Sequence, residues 1–140
     1  MVGTGDTYAY APCTTEGKAR RLWTSAPAAP YVAVSGGEVV GTYSLRPAQP
    51  GLGSHVANAG FMVAPGRSGR GVGRALGEHC LAEARRLGYA AMQFNFVVST
   101  NERAVRLWQS LGFAIVGTVP GAFRHPTHGP VPVHIMHRAL

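Results

Sequence analysis

The sequence predicts an α/β fold of the α+β kind, and three observations carry that prediction. Two runs rich in β-branched and aromatic residues flank Ser35-Gly36-Gly37. From Gly71 the apolar residues recur at helical rather than strand spacing. Two helical stretches each close on a glycine, Gly88 and Gly112, before a new apolar run begins. In chain order this gives strands, helix, strand, helix, strands.

Each element has its own local reason. The stretch "YVAVSGGEVVGTYSLRP" (31–47) reads as an antiparallel hairpin, because glycines supply the positive φ of tight hairpin turns. Before it, "TSAPAAP" (24–30) reads as an extended connector. "HVANAGFMVAP" (55–65) is a third strand ended by Pro65, and Asn58 and Gly60 predict a bulge or a close backbone approach within it. In the helix that follows, Val72, Leu76, Cys80, Ala84 and Leu87 form the apolar face and Gly88 the stop. "AAMQFNFVV" (90–98) alternates Met92, Phe94 and Phe96 with Gln93, Asn95 and Val97, a strand with one apolar face. Ser99 to Glu102 resembles a capping box for a second helix with Ala104, Leu107, Trp108 and Leu111 on one face. "FAIVGTV" and "VPVHIMHRAL" are the last two strands, with a proline-rich loop around "HPTHGP" between them.

Composition bounds the function. The 140 residues, 46% hydrophobic and 14% charged, suit one domain over 1–140 and exclude a disordered chain. A formal charge of +7 invites an anionic partner: nucleic acid, an acidic membrane or a phosphorylated small molecule. Nucleic acid is not expected, because the cations are dispersed and the aromatic residues fall on apolar strand faces rather than on a basic stacking platform. Cys13 and Cys80 lack any CxxC or zinc-finger spacing, which argues against a disulfide framework or a cysteine metal site and for a reducing compartment. "MVGTGDTYAYAP" shows no basic leader and no apolar core, and no run approaches the roughly 18 apolar residues of a membrane span. The expectation is a soluble cytoplasmic protein without a membrane partner.

The stretch "PGRSGRGVGRAL" (65–76) crowds Arg67, Arg70 and Arg74 among four glycines where a loop enters a helix. A helix N-terminus is positive, so each cation there costs some tenths of a kcal/mol unless an anion joins them. A Walker loop is excluded, since it requires a lysine and the only lysine is Lys18. A dinucleotide fingerprint fits poorly: Gly71-Val72-Gly73 is followed by Leu76, and Gln93 stands near the place of the acidic residue. A pyrophosphate cradle fits better, with Gly69, Gly71 and Gly73 baring backbone N–H groups and arginines complementing the charge.

"VAPGRSGRGVGRAL" resembles the acetyl-CoA-binding motif of the GNAT superfamily of N-acetyltransferases, and "NERAVRLWQSLGF" (101–113) resembles the family's second signature. The resemblance covers about residues 31 to 140. It implies a mixed, mainly antiparallel central sheet flanked by helices, and direct attack of a neutral amine on acetyl-CoA. It further implies that the pantetheine arm pairs with the backbone of Phe61, Met62 and Val63. The pyrophosphate would lie over Ser68, Gly69, Arg70, Gly71, Val72, Gly73 and Arg74, and Asn101 would hold the arm from the other side.

The sequence departs from the family pattern in three places. Ser68 stands where an arginine or glutamine is usual. Trp108 replaces the tyrosine often proposed as the acid for the departing thiolate. Only 30 residues precede Tyr31, so the family's first strand and most of its first helix are expected to be missing.

No acidic residue falls on the central strands near the loop, which favours proton removal through water. Asn58 and Asn95, the candidate catalytic residues, resemble substrate-holding positions in acetyltransferases of proline-like amino acids, and Asn58 and Phe61 are the expected substrate contacts. The expected acceptor is a small amine, a free amino acid or imino acid first, with a protein N-terminus or an antibiotic amine left open. An acyl-CoA-binding protein without transferase activity is the alternative. His125, His128, His134 and His137 lack a helical ligand pair, so no metal is expected; His134 is a candidate acid or base only if its strand borders the cleft. Phe94, Phe96, Trp108 and Cys80 are expected in the core. A shortened N-terminus would leave a sheet edge and a cleft wall uncovered, from which a homodimer is expected.

Overall fold

The computed structural model describes residues 7–140. Its elements are helix α1 (Glu16–Thr24), strands β1 (Ala29–Ser35), β2 (Glu38–Pro47) and β3 (Val56–Val63), helix α2 (Val72–Arg86), strand β4 (Ala91–Val98), helix α3 (Glu102–Ser110), and strands β5 (Ala114–His125) and β6 (Gly129–Ala139). The six strands form one sheet in the order β1-β2-β3-β4-β6-β5, antiparallel at every junction except β3–β4. The expected mixed, mainly antiparallel sheet flanked by helices is the observed one. Gly36 and Gly37, at φ 58° and 80°, turn β1 into β2 as the sequence predicts.

The pleat of β2 assigns the two faces. Gly41 and Tyr43 face α2: a Cβ on Gly41 would stand 2.8 Å from Leu76, and the Tyr43 hydroxyl lies 2.7 Å from Nδ1 of His79. Thr42, Ser44 and Arg46 face α1, where Trp23 donates from Nε1 to Thr42 at 3.1 Å and Ser44 donates to the Trp23 carbonyl at 2.7 Å. The main core lies on the α2 and α3 side, joining Tyr43, Leu45, Leu76, Cys80, Met92, Phe94, Trp108 and Met136. A smaller cluster of Val98, Phe123, Val131 and Val133 sits at the far end of the β4, β5 and β6 strands.

Several sequence expectations are corrected. Helix α1 is present over nine residues, capped by the Thr15 side chain on the Lys18 N–H, while no residue between Thr7 and Ala28 forms a strand. It carries no buried residue, so it offers no apolar stripe for a sequence reading to detect. Strand β3 pairs with β2 in unbroken register, so of the two readings for this strand, a bulge or a close approach, the bulge is absent and the close approach is observed at Gly60, where a Cβ would meet the Trp23 ring at 3.1 Å. The bulge falls in β4, whose register against β6 shifts between Phe94 and Val97. That shift buries Val97 and turns Phe96 outward, 41% exposed, against the expectation that Phe96 is core. Leu87 is the half-exposed C-cap of α2 rather than part of its buried face. The α3 cap is Asn101, not Ser99. "PGAFRH", with "GP" beyond the turn, is strand rather than loop, held by Phe123 opposite Val131.

Candidate active site

Strands β3 and β4 run parallel but pair only at Val56–Ala91 and Ala57–Met92 before they part. On its other side β3 bonds β2 throughout, and the alternation there is set by the Ala64 N–H on the Val40 carbonyl (2.9 Å) and the Ala48 N–H on the Val56 carbonyl (2.8 Å). In an antiparallel ladder these narrow pairs recur every second residue. The backbone groups of Gly60 and Met62 therefore point to β2, and those of Ala59, Phe61 and Val63 point to the gap beside β4. Strand β4 bulges at Asn95–Phe96 beside this parting, and a cavity of about 800 Å³ opens there.

One end of the cavity is the glycine-rich loop. Gly66, Gly69 and Gly71 all adopt positive φ, at 75°, 81° and 81°, a backbone that other residues rarely hold. Gly71 caps α2 without a side-chain hydrogen bond, so the first-turn N–H groups of the helix have no side-chain partner. Ser68, Gly69 and Gly73 line the cavity with Asn101 and Arg103 of the facing helix. Sequence reasoning missed Arg103, whose guanidinium lies 2.7 Å from where a Cβ on Gly69 would stand. The loop's own arginines are partly engaged elsewhere: Arg67 pairs with Glu38 at 2.6 Å, and Arg74 with Glu78 at 3.5 Å and Ser110 at 2.8 Å. Arg70 makes no ion pair or side-chain hydrogen bond among the described residues.

The other end is built on the α1 face of the sheet. Asn58, Gly60 and Asn95 line it, so both predicted asparagines border one cavity; Phe61 lines the cavity too, with its ring on the α2 and α3 side against Tyr43, Phe94 and Trp108. Asn95 accepts a hydrogen bond from Gln93 at 2.7 Å. Tyr8, Tyr10, Trp23, Arg46 and Phe96 complete the wall, none of them assigned from the sequence. Tyr8 donates its hydroxyl to the Phe61 carbonyl at 2.5 Å, and burial pushes its acidity far below that of a free phenol. Residues 7–10 thus furnish a substrate-side wall that the sequence reading expected to be lacking.

Of the remaining predicted site residues, Val63 lines the cavity, whereas Met62, Arg70, Gly71, Val72 and Arg74 do not. Met62 bonds to Thr42 of β2, and Val72 packs its side chain toward Gly41 in the core. Asn101 lines the cavity while its Oδ1 accepts the Ala104 N–H at 3.3 Å. Trp108 is 8% exposed and packs its ring 4.7 Å from that of Phe61 and 4.8 Å from that of Phe94. His134 bonds Thr118 at 2.9 Å and lies outside the cavity wall. Among the described residues no three His, Cys, Asp or Glu side chains gather as a metal site, and no helix is long and apolar enough to cross a membrane.

The sequence profile of the acetyltransferase (GNAT) family matches residues 6–113. The N-acetyltransferase aca1 of Schizosaccharomyces pombe is 37% identical over 90 residues, 64% of this chain and 43% of aca1. The chain spans less than half the length of the curated relatives it matches. A GCN5-related N-acetyltransferase from Kribbella flavida has a solved structure that is 54% identical, with a TM-score of 0.94 over 99% of this chain and 85% of that one. A further solved structure is yncA from Salmonella typhimurium, an acetyltransferase by proposal, determined with its cofactor acetyl-CoA. It is 27% identical, with a TM-score of 0.74 over 88% of this chain and 69% of that one. With the family's profile over residues 6–113 and the family's fold around a cavity at the parting of two parallel strands, this chain belongs to the GNAT family of acetyltransferases.

Proposed function

We propose that this protein is an acetyl-CoA-dependent N-acetyltransferase that acts on a small-molecule amine within a ternary complex. The observation that carries the reading is the edge of β3 at Ala59, Phe61 and Val63, to which no strand pairs among the described residues and where the Phe61 carbonyl accepts from Tyr8, opening into the same cavity as the glycine-rich loop. An extended pantetheine arm adds to such an edge as a strand would, and a pyrophosphate suits bare N–H groups at a helix start. The residues present therefore fit acetyl-CoA. The loop and Arg103 would hold its phosphates, the β3 edge and Asn101 its arm. Acetyl-CoA supplies an activated acyl group; the chain supplies position and hydrogen-bond donors, the N–H groups of Phe61 and Val63 being those directed at the gap.

Proton handling falls to water. None of the carboxylate or imidazole groups described lines the cavity, and Tyr8 is committed as a donor to Phe61. Asn58 and Asn95 orient the acceptor. The amine forms its C–N bond as the C–S bond breaks, and its proton passes through water to the released sulfur. Free Cys13 and Cys80 support a cytoplasmic setting. The chain is also proposed to act as a single domain over 1–140 and as a homodimer.

Titration calorimetry with acetyl-CoA and release of free CoA thiol over a panel of amines test the function together. Arg70→Glu with Arg74→Glu is expected to weaken acetyl-CoA binding several-fold by removing attraction to the phosphates; unchanged affinity would remove the loop assignment. Trp108, with no ionisable hydroxyl, favours a second reading in which acyl-CoA is bound without transfer. Binding with no turnover on any amine would establish it.

A further inference from the structure

We propose that the acceptor amine carries a carboxylate and an apolar or aromatic body, and that Arg46 holds the carboxylate. The proposal rests on the acetyl-transfer reading for the chemistry at the amine, but its electrostatic basis is independent of it.

Arg46 is a cation in the cavity wall, at the end away from the phosphate loop. A half-buried guanidinium is costly to leave without an anion. The five acidic residues described are all engaged elsewhere: Glu16 with Arg20, Glu38 with Arg67, Glu78 with Arg74, Glu83 with Arg86 and Glu102 with Arg106. None of them lines the cavity. Arg46 itself bonds only neutral oxygens among the described residues, donating from Nη2 to the Leu22 carbonyl at 2.7 Å and to the Ser44 hydroxyl at 3.2 Å. These bonds fix the head group and leave the N–H groups on Nε and Nη1 for a ligand. Among the described residues Arg46 is the one cation of the cavity wall at this end, with Arg124 bordering only the adjoining recess, and one cation on the wall matches a singly charged carboxylate better than a phosphate.

The placement suits an α-amino acid. Arg46 stands opposite Asn58, but its head is drawn toward Ser44, which stands opposite Gly60. That brings the guanidinium to within about one or two residue steps, at ~3.3 Å each, of Phe61 and the free β3 edge. In an α-amino acid the carboxylate carbon and the amine nitrogen share one carbon, so a carboxylate on Arg46 leaves the amine near that edge. The body of the acceptor then meets Tyr8, Tyr10, Trp23 and Phe96. A second recess of about 330 Å³ continues from the same Tyr8, Tyr10 and Phe96, giving the body room.

The test compares phenylalanine with phenethylamine and phenylalaninamide, which keep the ring and the amine but lack the carboxylate. Rates are expressed per neutral amine, from free CoA thiol, for the wild type, Arg46→Gln and Arg46→Lys. Phenylalanine is expected to lead in kcat/KM by about tenfold or more, the scale of a charge-assisted contact. Arg46→Gln should bring the ratio near one through KM, and Arg46→Lys should restore part of it; unchanged acetyl-CoA affinity shows the variant folded. Equal rates for the three amines in the wild type, or a ratio untouched by Arg46→Gln, overturns the proposal. Should no amine be acetylated, titration of phenylalanine followed by Trp fluorescence decides. Binding that Arg46→Gln abolishes sustains the carboxylate site while the transfer reading falls, and no binding in the wild type overturns both.

Discussion

Trp108 occupies the place where the family resemblance leads one to expect a tyrosine, and its surroundings say what it does instead. Its ring is enclosed by Phe61, Phe94 and Phe113, and a Cβ on Gly77 would approach it to 3.2 Å. An indole so packed fills volume and cannot pass a proton at neutral pH. Trp108→Phe is therefore expected to keep turnover within about tenfold, short of the 10²- to 10⁴-fold loss of a true general acid. A thousandfold loss in a folded variant would restore the acid role. Glu83 gives a second residue-scale expectation. Arg86 donates to both its oxygens, at 3.0 and 2.8 Å, and Tyr31 donates to it at 3.0 Å. First the Arg86 bonds and then that of Tyr31 lower its pKa from the ordinary 4.5 to about 2. A carboxylate lowered on folding stabilises the fold above the unfolded pKa and loses that contribution as pH falls through the folded one. The Tm advantage of the wild type over Glu83→Gln should thus be steady above pH 4.5 and shrink between 4.5 and about 2. A Tm difference that does not change across that window would show that the cluster contributes nothing through charge.

At the scale of elements, the glycine loop and the parting of β3 from β4 are the two features that make a site, and they differ in how plainly the sequence declares them. Gly69 and Gly71 adopt the left-handed backbone that the "GRGVG" pattern implies. Gly69→Ala is expected to lower Tm by a few degrees, since a left-handed non-glycine residue costs about 1–2 kcal/mol. The effect on acetyl-CoA affinity should be larger, about tenfold, because relaxing that strain moves the cradle; calorimetry showing full affinity would mean that the loop's shape is not what binds. Hairpin, α2 and the α3 face were legible because each rests on local periodicity and a local stop. The bulge in β4 was not: "MQFNF" alternates without a break, and only the pairing with β6 shows that Asn95 and Phe96 fall between matched residues. Arg103 and Arg46 were hidden for a related reason. Each belongs to an ordinary polar face in sequence, and becomes a site residue only when α3 is laid against the loop and α1 against β2.

For the whole molecule, the distribution of apolar surface argues for a partner copy, although not for the reason the sequence first suggested. A missing N-terminal wall would have left the cleft itself uncovered; instead residues 7–10 and Trp23 wall the cavity from within the chain. What stays uncovered is a sheet edge. Strand β5 is the last in the order β1-β2-β3-β4-β6-β5, twelve residues long, and it exposes Ile115, Val116 and Val119 at 39%, 61% and 45%. No helix covers it. The opposite edge, β1, is seven residues long and contacts α1, although it exposes Val32 and Val34 at 61% and 60%. Pro120 and two register shifts against β6, between Ile115 and Gly117 and between Val119 and Phe123, blunt edge-to-edge pairing, so the contact expected is one of side chains, through Ile115, Val116 and Val119, rather than a continued sheet. Burial of such residues contributes about 1.5–3 kcal/mol each when complete, and a two-fold axis doubles the contribution of every residue at the interface. The expected solution species is therefore a homodimer joined through β5, and Val116→Lys with Val119→Lys should convert it to a monomer while leaving acetyl-CoA affinity intact, because neither residue lines the cavity. Light scattering at micromolar concentration decides the matter: a wild type that is monomeric there removes the dimer, and a double variant that stays dimeric moves the interface away from β5.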